Sequence, residues 1–301
     1  MLWSPQLRTA LNRFRANFKG LNEISWDLIM PLYRERNMEE KEHSKQEYLT
    51  GQRDMADSYP RSFARRGKCL EMRFLGESSL SDLSALQSLV VSNLHEIEIF
   101  MPHDEEYLSR IFQTELSVLG VLAEEKLAVY SIIRYPGMGK DNLGRDLNLA
   151  EEDLKKLAHL QAIAVHPHFR GCGLQRELAA AHLQVLESSG YEHICCTVSP
   201  KNPVSLNNLL SCGFRVRALN PKFAGWWRYI LYKNVNWPMT GTGMAATGDE
   251  TAITCLNIEC QRELIQRGYE GYRVEWKGEK SEIFYRKRST SSMDSSSPFI
   301  P

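Results

Sequence analysis

The segment LQAIAVHPHFRGCGLQREL, residues 160–178, constrains this chain more than any other stretch. An apolar run reaches Val165 and reads as a strand. A turn follows, carrying Pro167, Arg170, Gly171, Cys172 and Gly173. Apolar spacing then predicts a helix over residues 174–188. The two glycines let the backbone curl where a Cβ would clash. Successive N–H groups converge at the start of that helix, where the macrodipole places roughly half a positive charge. Such a corner suits a pyrophosphate, and Arg170 can add a charge-assisted contact. A turn that serves only tight packing uses the same residues, so the corner alone leaves both readings open. The three-glycine dinucleotide fingerprint and the phosphate-loop Lys-Ser/Thr pair are both missing.

Composition narrows the classes further. With 301 residues there is room for about two domains, or one enlarged domain. Hydrophobic residues make up 43% and charged residues 25%, which excludes a wholly disordered, collagenous or coiled-coil chain. Lys+Arg and Asp+Glu both number 37, so no surplus cation is available to displace counterions, and nucleic acid is not an expected partner. No apolar run is long enough for a membrane-spanning helix. The cysteines Cys69, Cys172, Cys195, Cys196, Cys212, Cys255 and Cys260 lack metal-ligand spacing, and no apolar signal core opens the chain. Reduced thiols, a cytoplasmic location and no metal are expected.

Residues 1–66 read as a helical N-terminal extension. Its start carries Arg8, Arg13, Arg15 and Lys19 beside Leu7, Leu11, Phe14, Phe18 and Leu21, a basic amphipathic helix. Packing on the main domain is the plain reading; an organelle presequence or a membrane-surface helix has the same pattern. The charge run at 34–47 reads as a solvated face. Residues 69–75 alternate like a strand, 80–94 and 104–112 read as helices, and 116–123 with 127–135 read as a hairpin. Further on come a strand at 193–198, a short helix at 203–211, and strands at 214–219 and 227–232. The late alternation argues α/β, and the early hairpin argues a mixed sheet. A Gly/Thr-rich linker at 239–250 precedes a small α+β extension at 249–288, with a helix at 252–267 and strands at 272–276 and 282–285. Residues 289–301 read as a disordered tail.

These features resemble the GNAT N-acetyltransferase superfamily. Arg170 and Gly173 match the family's Arg/Gln-x-x-Gly-x-Gly/Ala loop, with Gln175 at its last position. Downstream, Asn202, Ser205 and Gly213-Phe214 match a second family segment in kind and spacing. The resemblance covers somewhat over half the chain and implies a GNAT-like domain at 67–236, a mixed α/β sheet flanked by helices. The implied activity is transfer of an acetyl group from acetyl-CoA to a primary amine of a small molecule or peptide. Backbone groups of Ile163, Ala164 and Val165 would hold the pantetheine arm, and the Val165 N–H would polarise the thioester. Arg170, Gly171, Cys172, Gly173, Leu174 and Gln175 would cradle the pyrophosphate. Asn202 and Ser205 would meet the coenzyme from the other side. A homodimer is compatible with this picture.

The chain also departs from the family. Many members carry a Tyr, as proton donor to the leaving thiolate, where this chain has Leu209. Ser205, Ser199 and Cys196 are the nearest substitutes. An alkylamine must also lose a proton before it attacks, at a cost of roughly 4 kcal/mol at neutral pH. His159 is the one titratable residue among His159, Gln161, Ile163 and Val165, which share a strand face by period two. His159 and Ser205 are therefore the catalytic candidates, with an ordinary strand-end histidine as the plain alternative. His166 and His168 read as surface residues near phosphates. Phe223, Trp226, Trp227, Tyr229 and Tyr232 read as core packing or an acceptor lining. A non-catalytic acyl-CoA-binding module and a protein-modifying acetyltransferase are the rival functions.

Overall fold

The computed structural model describes residues 59–112, 117–223, 225–237 and 250–288. The expected amphipathic helix, the charge run, the linker up to residue 249 and the tail lie outside these residues. In chain order the described elements begin with β1 (Arg61–Arg65), β2 (Lys68–Phe74), α1 (Leu80–Ser92), α2 (Glu105–Ile111), β3 (Val118–Ala123) and β4 (Lys126–Arg134). They continue with α3 (Glu151–Lys155), β5 (Leu157–Val165), α4 (Leu174–Ser188), β6 (His193–Val198) and α5 (Pro203–Ser211). The last are β7 (Arg215–Lys222), β8 (Trp226–Asn234), β9 (Thr251–Thr254), α6 (Ile258–Gln266), β10 (Tyr269–Lys277) and β11 (Lys280–Lys287). The architecture is a mixed α/β sheet flanked by helices, as expected.

Two compact units divide the chain. Over the described residues, the first holds 59–134 and 160–190, and the second holds 135–159 and 191–288.

In the first unit the strand order is β1-β2-β3-β4-β5. Residues 61–65 fall in the stretch read from sequence as helical, but they form a strand, because pairing overrides local pattern. Phe63 sits opposite Leu70 and packs on the core beside it. The turn back into β2 is Arg66-Gly67, with φ +50° and +75°. This mirror-image two-residue turn follows the natural twist of a hairpin. The hairpin expected at 116–135 is present as β3 and β4.

β5 shows why helices cover both sheet faces. Successive side chains of a strand alternate in direction. Ala162 and Ala164 belong to one apolar cluster, with Leu83, Leu86 and Val90 of α1 and Tyr107 and Leu108 of α2. Ile163 and Val165 pack against the other, with Leu174, Leu178 and Ala181 of α4. Small residues on one side and branched ones on the other set the depth of the two helical layers. Asp104 fixes the start of α2 by accepting the Tyr107 N–H at 2.8 Å.

In the second unit the order is β5-β6-β8-β7-β10-β11-β9. Leu157, Ala158 and His159 pair in parallel with His193, Ile194 and Cys195, and the other pairs are antiparallel. The C-terminal segment continues the sheet, since Gly271 of β10 pairs with Val216 of β7. The helix expected from residue 252 begins at Ile258 instead. Residues 251–254 are a strand, in which Ile253 pairs with Ile283. Asn257 caps the shorter helix by accepting the Cys260 N–H at 3.2 Å.

Buried polar groups in this segment are well matched. The Gln261 side-chain oxygen accepts from Tyr229 Oη at 2.7 Å and Tyr285 Oη at 2.8 Å, while its amide donates to the Cys255 carbonyl at 2.9 Å. Glu270 lies among Arg215, Arg217 and Arg286, with nearest approaches of 3.7, 3.5 and 3.3 Å.

Candidate coenzyme site

The turn from β5 into α4 lies wholly in the first unit. It leaves β5 with the His166 N–H donating to the Ala128 carbonyl at 2.9 Å. A 3₁₀ turn spans Pro167–Phe169, and the His166 ring caps it, Nδ1 accepting the His168 N–H at 3.1 Å. The Phe169 N–H goes to His166 O at 2.9 Å, Arg170 N–H to Pro167 O at 3.3 Å, and Cys172 N–H to Phe169 O at 3.4 Å. The main-chain donors of Gly171, Gly173 and Leu174 find no acceptor among the described residues. Gly171 and Gly173 hold φ of +74° and +77°, a region other residues enter only with strain. Gly173 is the N-cap of α4, and no side chain caps that end. Open donors, a fifteen-residue helix behind them and a cap without a carboxylate are what an anion needs.

Of the coenzyme-binding residues expected from sequence, 163–165 and 170–175 fall on one strand–turn–helix, whereas Asn202 stands at the start of α5 in the second unit. Ile163, Ala164 and Val165 end the strand. Arg170 and Gly171 are exposed, Cys172, Gly173 and Gln175 half-buried, and Leu174 is buried as the first anchor of α4. His166 is pushed below the ordinary histidine range, first by burial and then by the charges of His168 and Arg170.

Other candidates belong to the second unit. Asn202 caps α5, its side-chain oxygen accepting the Ser205 N–H at 3.0 Å, so this pair has a structural task already. Leu209 is buried, 3% exposed, and offers no proton. Ser199 and Cys196 are buried as well, and burial pushes the Cys196 thiol well up, so it stays protonated. His159 is 4% exposed, and its Nε2 accepts the Leu143 N–H at 3.0 Å. That bond sets the tautomer, with the neutral ring's proton on Nδ1.

The His159 contact belongs to a loop ordered in a way the sequence did not announce. Asn142 opens a 3₁₀ turn at Leu143–Leu147; its Oδ1 accepts the Gly144 N–H at 2.8 Å, and its amide donates to Gly137 O at 2.7 Å. Asp146 accepts from Asn220 Nδ2 at 2.9 Å and from Lys222 Nζ at 2.7 Å. A second overlooked contact joins α2 to β5: Tyr107 Oη donates to Gln161 Oε1 at 2.7 Å. The Asn-x-Gly spacing at 142–144 was a usable turn signal, whereas the pairing of Tyr107 with Gln161 had none. Among the described residues no group of His, Cys, Asp and Glu gathers as metal ligands.

The chain is thus a mixed α/β protein in which the turn from β5 into α4 leaves main-chain donors without an acceptor among the described residues. Residues 118–214 match the model of the acetyltransferase (GNAT) family. Solved structures similar in fold include yncA, a putative acetyltransferase from Salmonella typhimurium with its cofactor acetyl-CoA. It shares 16% identity over 60% of this chain and 98% of its own, at a TM-score of 0.44. The ribosomal-protein-S18-alanine N-acetyltransferase of Escherichia coli shares 17% identity over 58% of this chain and 99% of its own, at a TM-score of 0.40. A GNAT-family acetyltransferase of Listeria monocytogenes shares 18% identity over 58% and 99%, at 0.44. No curated protein matches the chain.

Proposed function

We propose that this protein transfers an acetyl group from acetyl-CoA to a primary amine of a small molecule or peptide. The observation that carries the reading is the turn at residues 170–174. Its glycines hold left-handed backbone, and the N–H groups of Gly171, Gly173 and Leu174 stay open at the head of α4. A diphosphate presents several oxygens to such a corner at once. In this reading the backbone of Ile163, Ala164 and Val165 binds the pantetheine arm, and the Val165 N–H polarises the thioester carbonyl. The family resemblance likewise assigns Asn202 and Ser205 to coenzyme binding.

Catalytic roles are assigned to His159 and Ser205. His159 accepts the amine proton only by giving up the Leu143 N–H, because that donor occupies its one neutral lone pair. Ser205 offers its hydroxyl as a hydrogen-bond donor to the leaving thiolate, which takes its proton from solvent. A catalytically silent acyl-CoA-binding module is the second reading, favoured by the buried Leu209 and the occupied His159 nitrogen. We place the protein in the cytoplasm, as the scattered cysteines without metal or disulfide spacing suggest. No helix among the described residues is long and apolar enough to cross a membrane.

The test is thiol release from acetyl-CoA by the full chain, run with a panel of amines, beside direct titration with coenzyme A. Turnover with free amines supports the reading. Products confined to protein lysines or N-termini favour a protein acceptor, and binding without turnover favours the silent module. Failure to bind coenzyme A would overturn both.

A further inference from the structure

The first hairpin reaches the coenzyme turn. Arg61 Nη1 donates to Gln184 Oε1 at 3.2 Å, Arg65 pairs with Glu177, and Arg66 Nη2 donates to the Gly171 carbonyl at 3.3 Å. Gln184 and Glu177 stand about two helical turns apart on one side of α4. The β1–β2 hairpin therefore runs along α4 and brings its tip to the open end of that helix. The tip is a tight turn, so Arg66 is presented from a fixed backbone. Lys68 Nζ lies 5.0 Å from the centre of the Phe169 ring. From the helix side, Arg176 folds back until Nη2 comes within 3.5 Å of where a Cβ on Gly173 would stand. Cations from two elements thus border residues 169–173. Among the described residues, none of Arg66, Lys68, Arg170 and Arg176 has a carboxylate partner. Four unneutralised cations beside open main-chain donors make a rim suited to a multiply charged phosphate ligand.

We propose that the β1–β2 hairpin is part of the coenzyme site, with Arg66 and Lys68 binding phosphate oxygens of coenzyme A. This rests on the acetyl-CoA reading above and adds residues from a part of the chain outside the matched family segment. Arg66 spends one N–H on Gly171, which holds the turn, and its other guanidinium donors serve the ligand.

The experiment titrates the full chain with coenzyme A and with its dephospho form, which lacks the 3′-phosphate, at two salt concentrations. Arg66→Ala and Lys68→Ala are each expected to weaken coenzyme A binding about tenfold and to flatten its salt dependence. Arg61→Ala, which loses a contact farther along α4, is expected to leave binding unchanged. If the loss vanishes with the dephospho form, the hairpin reads the 3′-phosphate; if it persists, it reads the diphosphate. Arg66→Lys keeps a cation and is expected to recover most of the affinity, which a purely structural role for Arg66 does not predict. Tight, salt-sensitive binding by both alanine variants, equal to the parent, would overturn the hairpin's role and leave the acetyl-CoA reading standing. No binding by the parent chain would overturn the acetyl-CoA reading itself.

Discussion

Replacing Gly173 with alanine separates what the coenzyme turn costs the fold from what it does for the ligand. Gly173 sits at φ +77°. An L-residue held there costs roughly 1–2 kcal/mol in backbone strain. Space adds little, because the nearest atom to the new Cβ is Arg176 Nη2 at 3.5 Å, an ordinary contact at the end of a flexible side chain. Strain of that size lowers the melting temperature by about 2–3 °C in a chain of this length. The binding loss should be larger. The methyl group stands beside the open donors of Gly171, Gly173 and Leu174, and relief of the strain rotates the Gly173 N–H away from the ligand. Losing one hydrogen bond to a charged group costs roughly 1.5–3 kcal/mol, or about ten- to a hundredfold in Kd. Gly190→Ala is the matched control: its φ is +75°, nothing lies within 4 Å of its new Cβ, and it follows the far end of α4. Thermal melting and calorimetric titration with coenzyme A on both variants make the comparison. Equal melting losses with affinity lost only in Gly173→Ala support the turn as the diphosphate cradle. Equal affinities in both variants, with coenzyme bound tightly, would refute it.

Further outcomes follow from the same structure. His159→Ala leaves the buried Leu143 N–H without its acceptor and should cost about 1–3 kcal/mol in urea unfolding; His159→Gln can still accept that N–H but cannot take a proton, so the base assignment fails if this variant keeps the parent kcat. Glu270→Ala strands Arg215, Arg217 and Arg286 in one half-dry pocket and should destabilise by about 3–5 kcal/mol, measured by chemical denaturation. Burial holds His103 at a pKa of about 4 and His182 at about 3, so the unfolded chain gains protons below pH 6.5 that the folded chain refuses. Stability is then full above pH 6.5 and falls as pH drops toward 4 and then 3; His182→Gln should make that slope shallower by about one proton.

The sequence spoke clearly where local chemistry decides structure. The 160–178 segment announced its strand, turn and helix because apolar period, glycine and helix start all pointed to one answer. It was silent wherever distant residues decide. Residues 61–65 have no strand pattern strong enough to stand alone, and they become a strand because Leu70 and its neighbours offer pairing partners. The first turn of the expected C-terminal helix was lost for the same reason, since Ile253 gains more from Ile283 than from a helical face. In the site, Gly171 and Gly173 were legible because only glycine tolerates their φ. The bonds from Leu143 to His159 and from Arg66 to Gly171 join residues 16 and 105 positions apart, and no periodicity encodes them.

Proton accounting shows which departure from the family pattern matters more. A leaving thiol of ordinary pKa, about 8.5, departs as thiolate at neutral pH for roughly 2 kcal/mol without any acid to help. An alkylamine held below its pKa of about 10 costs roughly 4 kcal/mol to deprotonate. The buried Leu209 therefore removes the cheaper of the two assists. The larger demand falls on the acceptor side, where His159 can answer it only by exchanging one hydrogen-bond partner for another. That exchange gives up a bond of about 1 kcal/mol, and charging a buried ring adds its desolvation. Of the two departures from the family pattern, the missing free base therefore weighs more on the acetyl-transfer reading than the missing acid.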